Sequence, residues 1–308
     1  MAMIGKSDDD RTASRLEDVV MFRKIFCPVD LSENSVKALQ WTEFLARKYS
    51  SEVVILHVIE SLQANPVVDL DYPQIQTAAV TAVREFLAPV NVPYESMLSS
   101  GHPAHKITSL AEAVNADLIV MGTRGLRGMS HVFLGSTTER VVRTSSLPVF
   151  TITPECAMPG DLDKDNLVLV PIPTLQQVPR GYLKIRSILK HLHAMPTLMH
   201  VVRGGDAPAI PTPEVRSASQ VLSYEYTEMK QSLLKIGARI TNYAEEVHAV
   251  IRFGQVAEEI LKELKTGSYS YLVMAVRKRG LLPAFIESTA YQILSLAPVP
   301  VLTVKKGE

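Results

Sequence analysis

The same series of short motifs occurs twice along the chain, in the same order. Pro28-Val29 returns as Pro171-Ile172 and Leu56-His57-Val58 as Met199-His200-Val201, both at a separation of 143 residues. Further on, Gly101-His102-Pro103-Ala104 answers to Gly254-Gln255-Val256-Ala257, and Leu118-Ile119-Val120-Met121 to Tyr271-Leu272-Val273-Met274, now 153 apart. The last pair, Leu147 to Ile152 and Val299 to Val304, is 152 apart. A nearly constant separation that widens once, by about ten residues, is the mark of a duplicated unit carrying one insertion. The 308 residues therefore divide into two units of ordinary domain length. The divisions fall as an N-terminal extension over 1–21, a first unit over 22–153, a linker over 154–165 and a second unit over 166–305. The linker, PECAMPGDLDKD, mixes proline, glycine and acidic residues.

Within the first unit, apolar runs rich in β-branched residues alternate with helical patterns, which predicts an α/β fold with a parallel sheet covered by helices. Lys24 to Val29 reads as a buried strand, after which Ser32 caps a helix ending near Tyr49, with Val36, Leu39 and Leu45 on its apolar face. Val53 to Ile59 is apolar on both faces, as a central strand is. Residues 61–73 hold two prolines and read as a loop, a candidate lid, before a helix carrying Ile75, Ala79, Val83, Phe86 and Leu87. Strands follow near Tyr94 to Leu98, Asp117 to Met121 and Pro148 to Ile152, with helices after Gly101 and from about Ser136 to Thr144. The final strands of the two units, Val149 to Ile152 and Val301 to Val304, would lie at sheet edges, where unpaired backbone groups invite another strand. They are expected to lie antiparallel to each other, making an internal pseudo-dimer and leaving homodimer formation open.

Charge excludes some functions. Lys plus Arg and Asp plus Glu both number 32, so no bulk positive field draws the chain to nucleic acid or an anionic membrane. No apolar run approaches the ~18 residues of a spanning helix, and the N-terminus carries charges where a signal peptide needs an apolar core. Two cysteines, Cys27 on an apolar strand and Cys156 in the linker, do not make a disulfide framework. The expected location is cytoplasmic.

The chemistry concentrates in one loop. Gly122-Thr123-Arg124-Gly125, nine residues, and then Gly135-Ser136 follow a buried strand and run into a helix. Glycines there let backbone approach a ligand, and the amides of Gly135 and Ser136 at a helix N-terminus favour phosphate. The hydroxyls of Ser136, Thr137 and Thr138 and the charges of Arg124 and Arg127 would add to the same oxygens. The plainer reading is a glycine-rich turn that serves only strand-to-helix geometry. The chain lacks a Walker lysine in this loop, and a GxGxxG dinucleotide fingerprint is missing too.

Gly122-x2-Gly125-x9-Gly135-Ser136 resembles the nucleotide-binding pattern of the universal stress protein family. Cys27-Pro28-Val29-Asp30 and Leu56-His57-Val58 look like its first two strands. The resemblance implies, for each unit, an open five-stranded parallel sheet of order 3-2-1-4-5 with helices on both faces, similar to the adenine-nucleotide alpha-hydrolase fold. It further implies that Pro28, Val29, Asp30 and Val58 surround adenine and ribose, with Met121 and Gly122 beneath the nucleoside. Gly125, Gly135, Ser136, Thr137 and Thr138 would hold the phosphates of ATP, with or without Mg²⁺. The second unit departs from the pattern: Pro173 stands for Asp30, Ala275 for Gly122 and Glu287 for Gly135, and only Ser288 survives. A glutamate at the helix start opposes phosphate, so that site reads as nucleotide-free.

The resulting expectation is an ATP-binding regulatory protein of the stress response, with nucleotide in the first unit only and protein partners unspecified. A slow Mg²⁺-dependent ATP hydrolase and a nucleotide-free scaffold with another ligand in the second unit are the alternatives, and no catalytic constellation is evident. His57 and His200, at equivalent positions, read as structural. His102 with His105 and His191 with His193 have metal-compatible spacing but no completing carboxylate or thiolate, and read as exposed.

Overall fold

The computed structural model describes residues 22–60, 72–124, 134–159, 166–176, 178, 182–203, 218–241, 247–276 and 288–305. The N-terminal extension, residues 61–71 of the expected loop and lid over 61–73, and linker residues 160–165 lie outside the described residues, and Tyr72 and Pro73 start the following helix instead. The first half runs β1 (Lys24–Val29), α1 (Glu33–Tyr49), β2 (Glu52–Ile59), α2 (Tyr72–Leu87), β3 (Glu95–Ser100), α3 (Pro103–Ala113), β4 (Leu118–Gly122), α4 (Ser136–Thr144) and β5 (Val149–Ile152). The second repeats it as β6 (Leu167–Pro171), α5 (Tyr182–His191), β7 (Met195–Val202), α6 (Ala218–Ile240), β8 (His248–Phe253), α7 (Val256–Thr266), β9 (Tyr271–Val276), α8 (Ser288–Leu296) and β10 (Val301–Lys305).

Local chemistry fixes these limits. Ser32 caps α1, its hydroxyl accepting from the Ser35 amide, and Ser50 ends the helix in the left-handed region at φ 54°. The buried stripe of α1 is Ser35, Ala38, Leu39, Trp41, Thr42, Leu45 and Ala46. Leu39 and Leu45 face inward as expected, but Val36 is 42% exposed, because it lies about 100° around the helix from Ser35. The duplication is visible in small details as well. Gly101 and Gly254 both adopt positive φ, 130° and 142°, and both amides donate to the end of the preceding central strand, at Ile59 and Val202.

Strand order is β3-β2-β1-β4-β5-β10-β9-β6-β7-β8, so each half keeps the 3-2-1-4-5 order and the two sheets are one sheet of ten strands. All neighbours are parallel except β5 and β10, which pair antiparallel with Phe150 opposite Leu302. The pairing is reciprocal. The Thr151 hydroxyl donates to the Val301 carbonyl (3.1 Å) and the Thr303 hydroxyl to the Val149 carbonyl (3.2 Å). Each strand end also reaches the far half's terminal helix: the Thr153 hydroxyl donates to the Ala297 carbonyl (2.7 Å), and the Lys305 ammonium to the carbonyls of Val142 and Arg143 at the end of α4. A cation at a helix C-terminus meets the negative end of its dipole.

Two apolar layers cover the sheet, and both run across the seam. On one face Trp41 of α1 packs on Phe150 (5.7 Å between ring centroids) and Tyr271 (6.0 Å), and those two rings meet at 5.6 Å. On the other face Val149 and Val301 join α3, α4, α7 and α8. The start of the segment expected as a loose linker is built into this core. Cys156 is buried, the Ala157 amide donates to the Pro298 carbonyl, and Lys37 donates to the carbonyls of Pro154 and Cys156. Burial pushes the Cys156 thiol up to about 11 and the Cys27 thiol up to about 12, so neither sulfur presents a thiolate at neutral pH.

His191 is not the exposed residue expected from sequence. It is half-buried in a ring cluster spanning the halves, 5.3 Å from Phe22 and 4.8 Å from Tyr49, with Lys48 beside Tyr49. Burial, and then the neighbouring His193, hold its imidazole below the ordinary value of 6.5. The unfolded chain therefore takes up a proton that the folded chain refuses. Stability from this site is complete above 6.5 and is lost as pH falls below it. Thermal unfolding followed between about pH 7.5 and 5.5 should show a falling Tm, and His191→Phe should flatten that slope. Phe150→Ala opens the seam under the chain's only tryptophan, and should cost about 3–5 kcal/mol in urea unfolding read by Trp41 emission.

Candidate functional site

The carboxyl ends of β1 and β4 lie side by side, since β1 pairs with β4 where the strand order reverses. In an open α/β sheet this is where ligands are received. Pro28, Val29 and Met121 are buried at these ends, with Val58 half-buried on β2.

Asp30 follows β1. Its Oδ1 accepts from the Ser32 amide (3.1 Å), the Ser32 hydroxyl (2.5 Å) and the Ser35 hydroxyl (2.6 Å). The Asp30 amide donates to the Ser35 hydroxyl in turn, and Leu31 between them turns at φ 63°. Asp30 thus fixes how β1 enters α1. The first turn of α1 lies directly on the end of β4: a Cβ at Gly122 would sit 3.2 Å from the Asn34 carbonyl oxygen and 3.3 Å from its Cβ. Asn34 also donates its side-chain amide to the Arg124 carbonyl (3.2 Å). Asn34 and Ser35 therefore shape the site though sequence reading passed over them. The run Asp30-x-Ser32-x-Asn34-Ser35 of short polar side chains just before and inside a helix was the available signal.

Gly135 is the N-cap of α4, and a Cβ there would come within 3.1 Å of the Thr123 carbonyl oxygen. Its amide is not open to a ligand as expected, because it donates to that same oxygen (2.7 Å). No side chain caps α4, so among the described residues the first-turn amides of Ser136, Thr137 and Thr138 have no acceptor. Ser136 is exposed and Thr137 half-buried at this end.

Two other expected phosphate residues have side chains engaged within the protein. Thr138 is buried on the same face as Val141 and Val142, and its hydroxyl donates to the Gly122 carbonyl (2.8 Å), which joins α4 to β4. Arg124 is turned away toward the second half. Its guanidinium binds Glu155 (3.1 Å) and the Ser295 carbonyl (3.2 Å), and its side chain is only 8% exposed. Gly125 and Arg127 lie outside the described residues.

Among the described residues the second half is built differently at this point. Pro173 follows β6 in place of Asp30, and α5 is described from Tyr182 to His191. The Tyr182 hydroxyl of α5 instead donates to the Pro171 carbonyl (2.7 Å). Burial drives that phenol's pKa well up. Glu287 lies outside the described residues, and Ala275 is half-buried on β9.

The histidines have local roles. His57 Nδ1 meets the Val29 carbonyl (2.9 Å) and His200 Nδ1 the Ile172 carbonyl (2.7 Å), the same contact in both halves. His102 pairs with Arg140 (2.8 Å). Among the described residues no three His, Cys, Asp or Glu side chains are grouped to hold a metal, and no helix is long and apolar enough to cross a membrane.

The model of the universal stress protein family matches the chain twice, over residues 21–153 and 168–305. A universal stress protein of Thermus aquaticus is 33% identical over 141 residues, covering 43% of this chain and 99% of that protein. One from Methanocaldococcus jannaschii is 29% identical over 143 residues, covering 43% and 82%. A crystal structure of a universal stress protein from Archaeoglobus fulgidus shares the fold along 93% of this chain and 99% of its own, with TM-score 0.66 and 23% identity. Both repeats match the family model, and together the matches span most of the chain: it belongs to the universal stress protein family.

Proposed function

We propose that the first half binds one adenine nucleotide, ATP foremost, that the second half binds none, and that occupancy makes this a regulatory protein of the stress response. The observation that carries the reading is the open N-terminus of α4, beside the bare backbone of Gly122 and Gly135. Free first-turn amides and the positive end of the helix dipole suit phosphate. Ser136 and Thr137 serve the phosphates through amides and hydroxyls, Gly125 through backbone, and Arg127 through charge. Arg124 and Thr138 hold the walls instead. Pro28, Val29, Val58 and Met121 line the nucleoside side, with Asp30 at the ribose and Gly122 allowing close approach. Because Asp30 Oδ1 already accepts three hydrogen bonds, this carboxylate suits a holder of ribose better than a base for hydrolysis. The loss of the Asp30 and Gly122 equivalents, with a glutamate for Gly135, supports a silent second half.

Titration calorimetry with ATP should give a stoichiometry near one, and a value near two would overturn the asymmetry. Denaturing the purified protein and chromatographing the supernatant tests for adenine nucleotide carried through purification. Ser136→Asp separates site from fold. A carboxylate at this exposed first position favours the helix dipole, so Tm should hold or rise, whereas ATP affinity should fall at least about tenfold. Unchanged affinity would place the phosphates elsewhere.

A further inference from the structure

We propose that Arg140 of α4 is the cation that meets the phosphates in the first half, with Lys106 of α3 adding to the same field. This rests on the reading of the first half as a nucleotide holder.

Arg124, the charge expected beside the glycines, is engaged by Glu155 and the Ser295 carbonyl. Arg140 stands differently. It follows Ser136 by one turn of α4, and both residues are exposed, so they share the solvent face of that helix. Helical side chains lean toward the N-terminus, which carries this guanidinium back toward the open amides of the first turn. His102, the cap residue of α3, holds it there, with 2.8 Å between Arg140 Nη1 and His102 Nε2. A guanidinium only donates, so the imidazole nitrogen accepts. Such a contact fixes the side chain without cancelling its charge, and among the described residues no carboxylate pairs with Arg140. Lys106 lies one turn into α3, its side chain across Gly101, where a Cβ would come within 3.2 Å of Lys106 Cε. α3 and α4 share one apolar layer with Met121 and Val58, which line the proposed nucleoside side.

The second half gives the comparison. At the positions that answer to His102, Lys106 and Arg140 it has Gln255, Glu259 and Gln292, by the spacings that relate Gly101 to Gly254 and Ser136 to Ser288. Glu259 even occupies the place of Lys106, since a Cβ at Gly254 would come within 3.2 Å of its Cγ. Gly254 keeps the positive φ of Gly101, so this turn forms without the positive charges. Both lysine and arginine are thus absent from the half read as silent, and one is replaced by a carboxylate. Each change removes attraction for an anion.

The test uses the full chain and Arg140→Gln, which gives the first half the residue of the second. Calorimetry should show a dissociation constant for ATP about tenfold above wild type, with stoichiometry still near one. Affinity should also fall less steeply with added salt, because one screened attraction is gone. Tm should stay near wild type, as Arg140 is exposed. Arg140→Lys keeps the charge and should recover most of the affinity. Adenosine, which has no phosphate, should bind wild type and Arg140→Gln alike. If wild type binds ATP and Arg140→Gln binds it equally well, the role of Arg140 is overturned while the nucleotide reading stands. Equal losses for adenosine and ATP would overturn it too, by placing Arg140 at the nucleoside. No binding of ATP by wild type overturns the reading of the first half, and the role of Arg140 with it.

Discussion

Everything in this molecule depends on the antiparallel meeting of β5 and β10. An apolar edge strand left open is a hazard, and each half ends in one. Their pairing removes both edges at once and turns two five-stranded sheets into one of ten. It also fixes what surrounds it. Trp41, Phe150 and Tyr271 can pack together only because the seam brings the two halves' faces level. Thr151 and Thr303, and Thr153 and Lys305, repeat the approximate two-fold relation in hydrogen bonds.

The seam matters to the site because α4 lies beside it. The helix that offers open amides at its N-terminus has the Lys305 ammonium of the other half at its C-terminus. The strand it leaves, β4, is linked to it by Thr138 and pressed by Asn34. Glycine at 122 and 135 thus serves close backbone packing, and the proposed nucleotide would use the same bareness.

Most of the fold was legible because it rests on periodicity and repetition. The burial of strands, the Ser32 cap, the start of α4 and the antiparallel seam all follow from local pattern plus the need to cover edges. The site was legible only in outline. Arg124 and Thr138 carry the right chemistry for phosphate, but the direction of a side chain depends on what lies across from it. Arg124 found Glu155 and the Ser295 carbonyl, 171 residues away. The Leu134 amide likewise meets the Tyr291 hydroxyl, 157 residues away, through a backbone group that every residue type has. Val36 shows the same limit on a smaller scale, an apolar residue on the wrong side of a correctly placed helix.

The covalent joining of the halves has a consequence for how such a protein can change. In a dimer of identical chains every substitution occurs twice, and any damage near the two-fold axis is doubled. Here Pro173 could stand in the place of an aspartate, and Glu287 in the place of a glycine, without the same alteration falling on Asp30 and Gly135. One copy is thereby released from the requirement that keeps the other unchanged, while both still share a single core. Broken symmetry of this kind lets two copies of one unit diverge inside a single shared sheet.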